Sequence, residues 1–296
     1  MTPQSILHAG HPAWIDSERW PFRPRYAHTR DGKLHYVDEG SGPPIVLVHG
    51  TPTWSFEWRH VIAALRGSNR VIALDHLGFG LSERPANAGY SPEAHARRFA
   101  EFIDRLKIDE PITLVVHDFG GPIALDWAVT NPERIRRLVV VNSWMWSFAG
   151  DRRMTLRAQL LHGAFGRWIY RRLNASLRLL MPKVFANRRA LTPAIHAQYL
   201  APFDDEDARE RVLWALARSL LDSAAFFDSL WKRRARIADV PLSLFWGMKD
   251  TAFGPDILAR WAHAFPSAQV TRFSVAGHWP HEEKASDFVA ALRKVV

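Results

Sequence analysis

The chain has 296 residues, 47% of them hydrophobic, with no cysteine and a formal net charge of +9. That size and apolar content support a large core, which α/β chains of this length often build as one unit. The lack of cysteine excludes thiol catalysis, disulfides and cysteine-based metal sites. Basic residues thicken between Arg152 and Arg189. Such a run permits binding to nucleic acid or anionic lipid, but a solvated, arginine-rich helical surface explains it without either. No zinc-finger pattern, RNP-like pattern or tract of Lys and Arg alone speaks for nucleic acid. The first 25 residues lack a basic stretch followed by an apolar one, and no apolar run is long enough to span a bilayer. A cytoplasmic protein with no nucleic-acid and no membrane partner is expected.

Residues 1–25 read as an arm lying on the body. Arg25 to Thr29 and Lys33 to Val37 are predicted strands of a hairpin around Arg30-Asp31-Gly32. Pro44 to Val48 is a continuous apolar run, the pattern of a strand buried on both faces, and it ends in His49-Gly50-Thr51-Pro52-Thr53-Trp54. A helix follows over Phe56 to Leu65, then a strand at Arg70 to Leu74. Ser91-Pro92-Glu93 opens another helix, with Ser91 as N-cap and Pro92 in the first turn. Ile112 to Val116 and Arg137 to Asn142 are further strands. From Trp144 to Ala238 no strand is predicted, only helices: Leu156 to Gly163, Trp168 to Leu180, Pro193 to Tyr199, Glu206 to Leu221 and Ser223 to Trp231. Alternation resumes with strands at Pro241 to Phe245 and Gln269 to Phe273, and helices at Pro255 to Phe265 and Lys284 to Val295. Strand–helix alternation predicts an α/β fold: a mostly parallel central sheet flanked by helices. The core would comprise residues 1–143 and 239–296. Residues 144–238 would form a helical cap, or lid, over the strand ends where open α/β sheets bind ligands.

The chemistry centres on Val115-Val116-His117-Asp118-Phe119-Gly120-Gly121-Pro122. Strand, tight turn and helix in succession make a nucleophile elbow, in which small residues let the turn close and lift one side chain above the sheet. Here that side chain is Asp118. Two further strands end close to ionisable groups, one before Trp246-Gly247-Met248-Lys249-Asp250 and one before Val275-Ala276-Gly277-His278-Trp279. Asp118, Asp250 and His278 thus follow the order nucleophile, acid, histidine at one edge of the sheet. Taken singly, each has a structural explanation as a cap, a turn former or a packed imidazole.

These motifs resemble the haloalkane dehalogenases of the α/β-hydrolase superfamily. The resemblance rests on His49 to Phe56, Gly78-Phe79-Gly80-Leu81-Ser82-Glu83-Arg84-Pro85, His117 to Gly121, Trp246 to Asp250 and the lid segment Tyr199-Leu200-Ala201-Pro202-Phe203, and it runs over nearly the whole chain. It implies an α/β-hydrolase fold with the lid inserted after the sixth strand, and a catalytic triad of Asp118, His278 and Asp250. In some subfamilies the acid follows the sixth strand, but here that strand ends in the neutral Asn142. A carboxylate attacking an sp3 carbon gives an ester that water can cleave, whereas a serine would give an inert ether. Asp118 therefore points to alkyl halides, epoxides or strained lactones. His278 would activate the water, Asp250 would orient and stabilise the imidazole, and the backbone N–H groups of Thr51 and Phe119 would form the oxyanion hole. No cofactor and no metal is expected. The partners would be a small apolar electrophile, water and halide; oligomeric state is not legible.

Dehalogenases of this kind usually carry Asn after His-Gly and Trp after the nucleophile, both as halide donors. This chain has Thr51 and Phe119 in those places. Trp54, Trp144, Trp146 and Trp279 flank the expected mouth and carry indole N–H groups, with Trp144 or Trp146 the first choice as a substitute donor; core packing is the competing explanation for each. Two relatives with an Asp nucleophile remain open. Epoxide hydrolases would use lid tyrosines such as Tyr170 and Tyr199, and β-lactone decarboxylases would need no halide site. A non-catalytic binding protein of the same fold is the alternative from another class. Leu160, Leu161, Phe165, Trp168, Phe185, Leu213, Phe226 and Phe227 would line an apolar pocket or form the lid's own core.

Overall fold

The computed structural model describes residues 11–296; the part of the predicted arm at residues 1–10 lies outside them. The described residues form an eight-stranded sheet in the order β1-β2-β4-β3-β5-β6-β7-β8. The strands are β1 (Arg25–Thr29), β2 (Gly32–Glu39), β3 (Pro44–Val48), β4 (Arg70–Leu74), β5 (Ile112–Asp118), β6 (Ile135–Ser143), β7 (Leu242–Gly247) and β8 (Gln269–Phe273). The β1–β2–β4 edge is antiparallel and every other pairing is parallel. Each residue of β3, β5 and β7 is buried, which is why these strands read as continuous apolar runs rather than alternating ones.

The flanking helices are α1 (Arg59–Leu65), α2 (Pro92–Leu106), α3 (Gly120–Ala128), α4 (Arg152–His162), α5 (Ala164–Leu173), α6 (Met181–Val184), α7 (Pro193–Leu200), α8 (Glu206–Ala208), α9 (Ala215–Asp222), α10 (Ala224–Lys232), α11 (Pro255–Ala264), α12 (Pro280–Glu283) and α13 (Ala285–Leu292). Ser91 caps α2 as its sequence predicts, its hydroxyl accepting the Ala94 N–H at 3.4 Å. Residues 144–238 contain helices and turns with no strand. Among the described residues no helix is long and apolar enough to cross a membrane. The arm's described part is anchored by Trp20 and Phe22, both buried, with the Trp20 ring edge-on to Trp54 at 5.0 Å.

Element positions hold, but several boundaries move. The predicted helix from Trp168 to Leu180 breaks at Asn174, whose φ of +49° closes α5 in the left-handed conformation that asparagine tolerates. A π-helical turn over Ser176–Leu180 follows. A second π-helical segment, Arg209–Trp214, joins α8 to α9. The apolar residues expected in a lid divide. Phe185, Leu213 and Phe227 are buried, Leu161 and Phe226 pack half-buried against the core, and Leu160, Phe165 and Trp168 are exposed.

Candidate active site

The β5 strand ends at Asp118, which sits at φ +49° although it is not glycine. Backbone there is strained, and a strained residue at a strand-to-helix turn holds its side chain clear of both elements. Beyond Phe119, residues 120 and 121 must be small. A Cβ on Gly120 would come within 2.5 Å of the Val48 carbonyl oxygen, and one on Gly121 would collide with the Ser143 hydroxyl. That hydroxyl donates to the Asp118 carbonyl at 2.6 Å and so ties the elbow to the end of β6.

Three loops converge on Asp118. His278 Nε2 lies 3.4 Å from Asp118 Oδ2, and His278 Nδ1 lies 2.7 Å from Asp250 Oδ2. All three side chains are buried. Burial alone would drive His278 toward its neutral form. Asp250 and Asp118 reverse that and lift its pKa to about 10. Burial would likewise raise Asp250, but the His278 charge and hydrogen bond, the Ala252 N–H and the Asn142 amide hold it below its ordinary value. The Nδ1–H of His278 is therefore fixed on Asp250 and its Nε2 faces Asp118.

Thr51 donates its backbone N–H to Asp118 Oδ1 at 2.8 Å. Phe119 is the N-cap of α3, so its amide heads a helix beside the same carboxylate. Gly50 is close against Asp118, since a Cβ there would overlap the carboxylate. The Thr51 hydroxyl is buried without a partner, and so are the indole N–H groups of Trp144 and Trp279. Trp144 packs edge-on to the Phe119 ring at 4.8 Å, and Trp279 packs edge-on to His278 at 4.6 Å. An orphaned buried donor costs on the order of 1–3 kcal/mol.

The remaining predicted residues are engaged with other groups. Trp54 spends its N–H on the Gln198 carbonyl at 2.9 Å. Trp146 packs on Trp231 and Trp261, with Arg260 over its face at 4.4 Å. The Tyr199 hydroxyl donates to Glu282, which also takes a bidentate pair from Arg59. Tyr199 therefore ties α7 to α12. The Tyr170 hydroxyl feels the Asp118 charge. Burial, and to a lesser degree that carboxylate, push it up to about 12.

Behind the triad is a group that the sequence did not reveal. His117 Nε2 donates to the His278 carbonyl at 3.0 Å, which leaves its Nδ1 facing Glu57 Oε1 at 3.2 Å. His281 Nε2 is 3.8 Å from the same oxygen. These three are the one group among the described residues whose donor atoms, all within 4.8 Å of one another, have ligand character. Glu57 is held low, the imidazoles outweighing its burial. The Glu57–His117 contact is thus buried, and with the His278 carbonyl on the other ring nitrogen it braces the elbow against the histidine loop. Glu57 falls in a stretch of helical apolar spacing, and no local pattern marks it.

A family model described as alpha/beta hydrolase fold matches residues 43–285. The chain is 36% identical over 279 residues to Haloalkane dehalogenase 2 of Mycobacterium tuberculosis, covering 94% of this chain and 96% of the relative. It is 31% identical over 280 residues to the cis-3-alkyl-4-alkyloxetan-2-one decarboxylase of Shewanella oneidensis, covering 92% and 88%. A crystal structure of a haloalkane dehalogenase from Agrobacterium tumefaciens matches with a TM-score of 0.82 and 26% identity, over 96% of this chain and 98% of that one.

Proposed function

Because the chain belongs to the α/β-hydrolase fold family, as a haloalkane dehalogenase-like member, we propose that it cleaves carbon–halogen bonds of haloalkanes through an alkyl ester on Asp118. The observation that carries this reading is the carboxylate at the elbow, 3.4 Å from an imidazole that Asp250 orients. Asp118 attacks the halogen-bearing carbon, the carbon–halogen bond breaks with its electron pair, and halide leaves. Esterification removes one of the two carboxylates that keep His278 protonated, so His278 gives up its proton to the medium. Neutral His278 then takes a proton from water as that water attacks the Asp118 carboxyl carbon. The Thr51 and Phe119 N–H groups hold the oxyanion, each worth about 3 kcal/mol. Collapse expels the alcohol and restores Asp118 and protonated His278. The balance is haloalkane plus water to alcohol, halide and a proton.

The departing halide would be met by the unpartnered donors of Trp144 and Thr51, with Trp279 packed beside His278. Residues 144–238 would act as the cap, over a core of residues 1–143 and 239–296. The small apolar electrophile, the halide product and residence in the cytoplasm belong to the same proposal.

A second reading is favoured by Phe119, which has no side-chain donor, and by the oxetan-2-one decarboxylase relative. The same Asp118 could open a β-lactone, a reaction with no halide to bind. Halide release from 1-bromobutane and 1,2-dibromoethane, followed with a pH indicator, separates the two. Release supports dehalogenation. Failure across a broad haloalkane panel, with turnover of a dialkyl oxetan-2-one or of styrene oxide, overturns it.

A further inference from the structure

Charge and exposed apolar surface coincide on one side of the lid. Between Arg152 and Phe203 there are nine arginines, one lysine and no acidic residue. That segment carries +10, which leaves −1 for the rest of a chain whose net is +9. Seven of the nine exposed large hydrophobic residues among the described ones lie between Leu156 and Leu180. Leu156 is 69% exposed, Leu160 64%, Phe165 59% and Trp168 52%. On α4, Leu156 and Leu160 are one turn apart and share their face with Arg153 and Arg157. On α5, Phe165 and Trp168 stack on each other at 6.4 Å, and Arg172 continues their face one turn on. Leu179 and Leu180 follow Arg178 and are also exposed.

Exposed leucines and aromatics cost free energy in water unless something covers them. Salt bridges account for part of the charge, as in Arg167 and Arg171 with Glu210. Arg152, Arg178, Lys183, Arg188 and Arg189 form no ion pair among the described residues. A second copy of the chain would bring a +10 lid against a +10 lid. A surface that is anionic at its rim and apolar beneath complements both features at once. That is the chemistry of a bilayer carrying anionic phospholipid, where Trp and Phe enter the headgroup boundary and Arg meets phosphate.

We propose that the α4–α5 face of the lid docks on anionic membrane surfaces. This requires no spanning helix and does not depend on the leaving group. Such a seat turns the cap toward the phase in which apolar molecules partition. The full chain should co-sediment with vesicles of phosphatidylglycerol and phosphatidylcholine, and about tenfold or more less with phosphatidylcholine alone or in high salt. Two double variants at exposed positions, Phe165→Ser with Trp168→Ser and Arg152→Glu with Arg178→Glu, should each lower partitioning about tenfold while the circular dichroism spectrum and melting temperature stay unchanged. Equal binding to both vesicle types, or none, overturns the proposal. So does partitioning that ignores the Phe165 and Trp168 changes. An oligomer in solution that the Phe165/Trp168 variant returns to monomer would assign the face to a second copy. Tighter retention of a DNA duplex than of the vesicles would assign the arginines to nucleic acid. Either result also overturns the proposal.

Discussion

The side-chain amide of Asn142 donates to Asp250 Oδ2 at 2.9 Å. The same side chain reaches Gly247 from both sides, accepting its N–H at 2.8 Å and donating to its carbonyl at 3.2 Å. Asn142 stands at φ +34° at the end of β6, the strand end where an acid occurs in some related enzymes. Here that place supports the acid instead of supplying it. Asn142→Ala should slow breakdown of the enzyme ester about tenfold, the effect of losing one hydrogen bond to a charged group at about 1.4 kcal/mol. Ester formation should be much less affected. Rapid-quench intact-mass kinetics read both steps, and equal slowing of the two would contradict a role through Asp250.

Trp144 offers a buried indole N–H that no protein group satisfies, against the Phe119 ring. If halide leaves there, Trp144→Phe should cut bromide release on the order of a hundredfold, the scale of losing one donor to a developing charge. Trp279→Phe tests the donor beside His278 in the same assay. A Trp144→Phe enzyme with unchanged bromide release would remove that indole from the leaving-group site.

His278 at about 10 in the free enzyme sets the pH dependence. Its raised value means that it holds a proton across the neutral range and loses it as pH rises through about 10. In the ester, Asp118 no longer carries charge, so the value must fall. Single-turnover hydrolysis of the ester should therefore rise with pH through a pKa well below 10. Titration of the free enzyme's His278 imidazole by NMR should still show it protonated at pH 8. A neutral His278 at pH 8 in the free enzyme would contradict the electrostatics.

How much of this was readable from the sequence depends on the range of the interactions. The elbow was legible because strand, Asp118 and Gly120-Gly121 are contiguous, and Asp250 and His278 because each lies shortly past a predicted strand. Thr51 and Phe119 were legible as departures from a pattern. Nothing local marked the Glu57–His117 pair, which spans 60 residues. Nor could periodicity tell Phe165 and Trp168 on the surface from Phe227 in the interior, since all three sit at helical spacing. The indoles were separable only by partner: Trp54 finds the Gln198 carbonyl 144 residues away, and Trp144 finds nothing.

Acid should destabilise the fold before its carboxylates titrate. His281 is pushed down to about 4 by burial, and His76 and His95 are lowered well below the ordinary 6.5 by burial first and by neighbouring imidazoles and Arg98 second. Each is neutral when folded and protonated when unfolded below about pH 6.5, so stability is present above that value and is lost as pH falls. The slope is on the order of 1 kcal/mol per pH unit for each histidine. His278 adds no slope there, being charged in both states. Urea midpoints should fall steadily from pH 6.5 to 4.5. Constant midpoints over that range would contradict the burial of these rings as neutral groups.

The central claim is a covalent ester on Asp118, and trapping it is the most direct test. His278→Phe removes the base without touching the nucleophile. With 1,2-dibromoethane, this variant should release one equivalent of bromide and gain the mass of one bromoethyl group, located on the peptide containing Asp118. An unmodified Asp118 peptide after bromide has been released, or continued turnover in Asp118→Ala, would contradict the account.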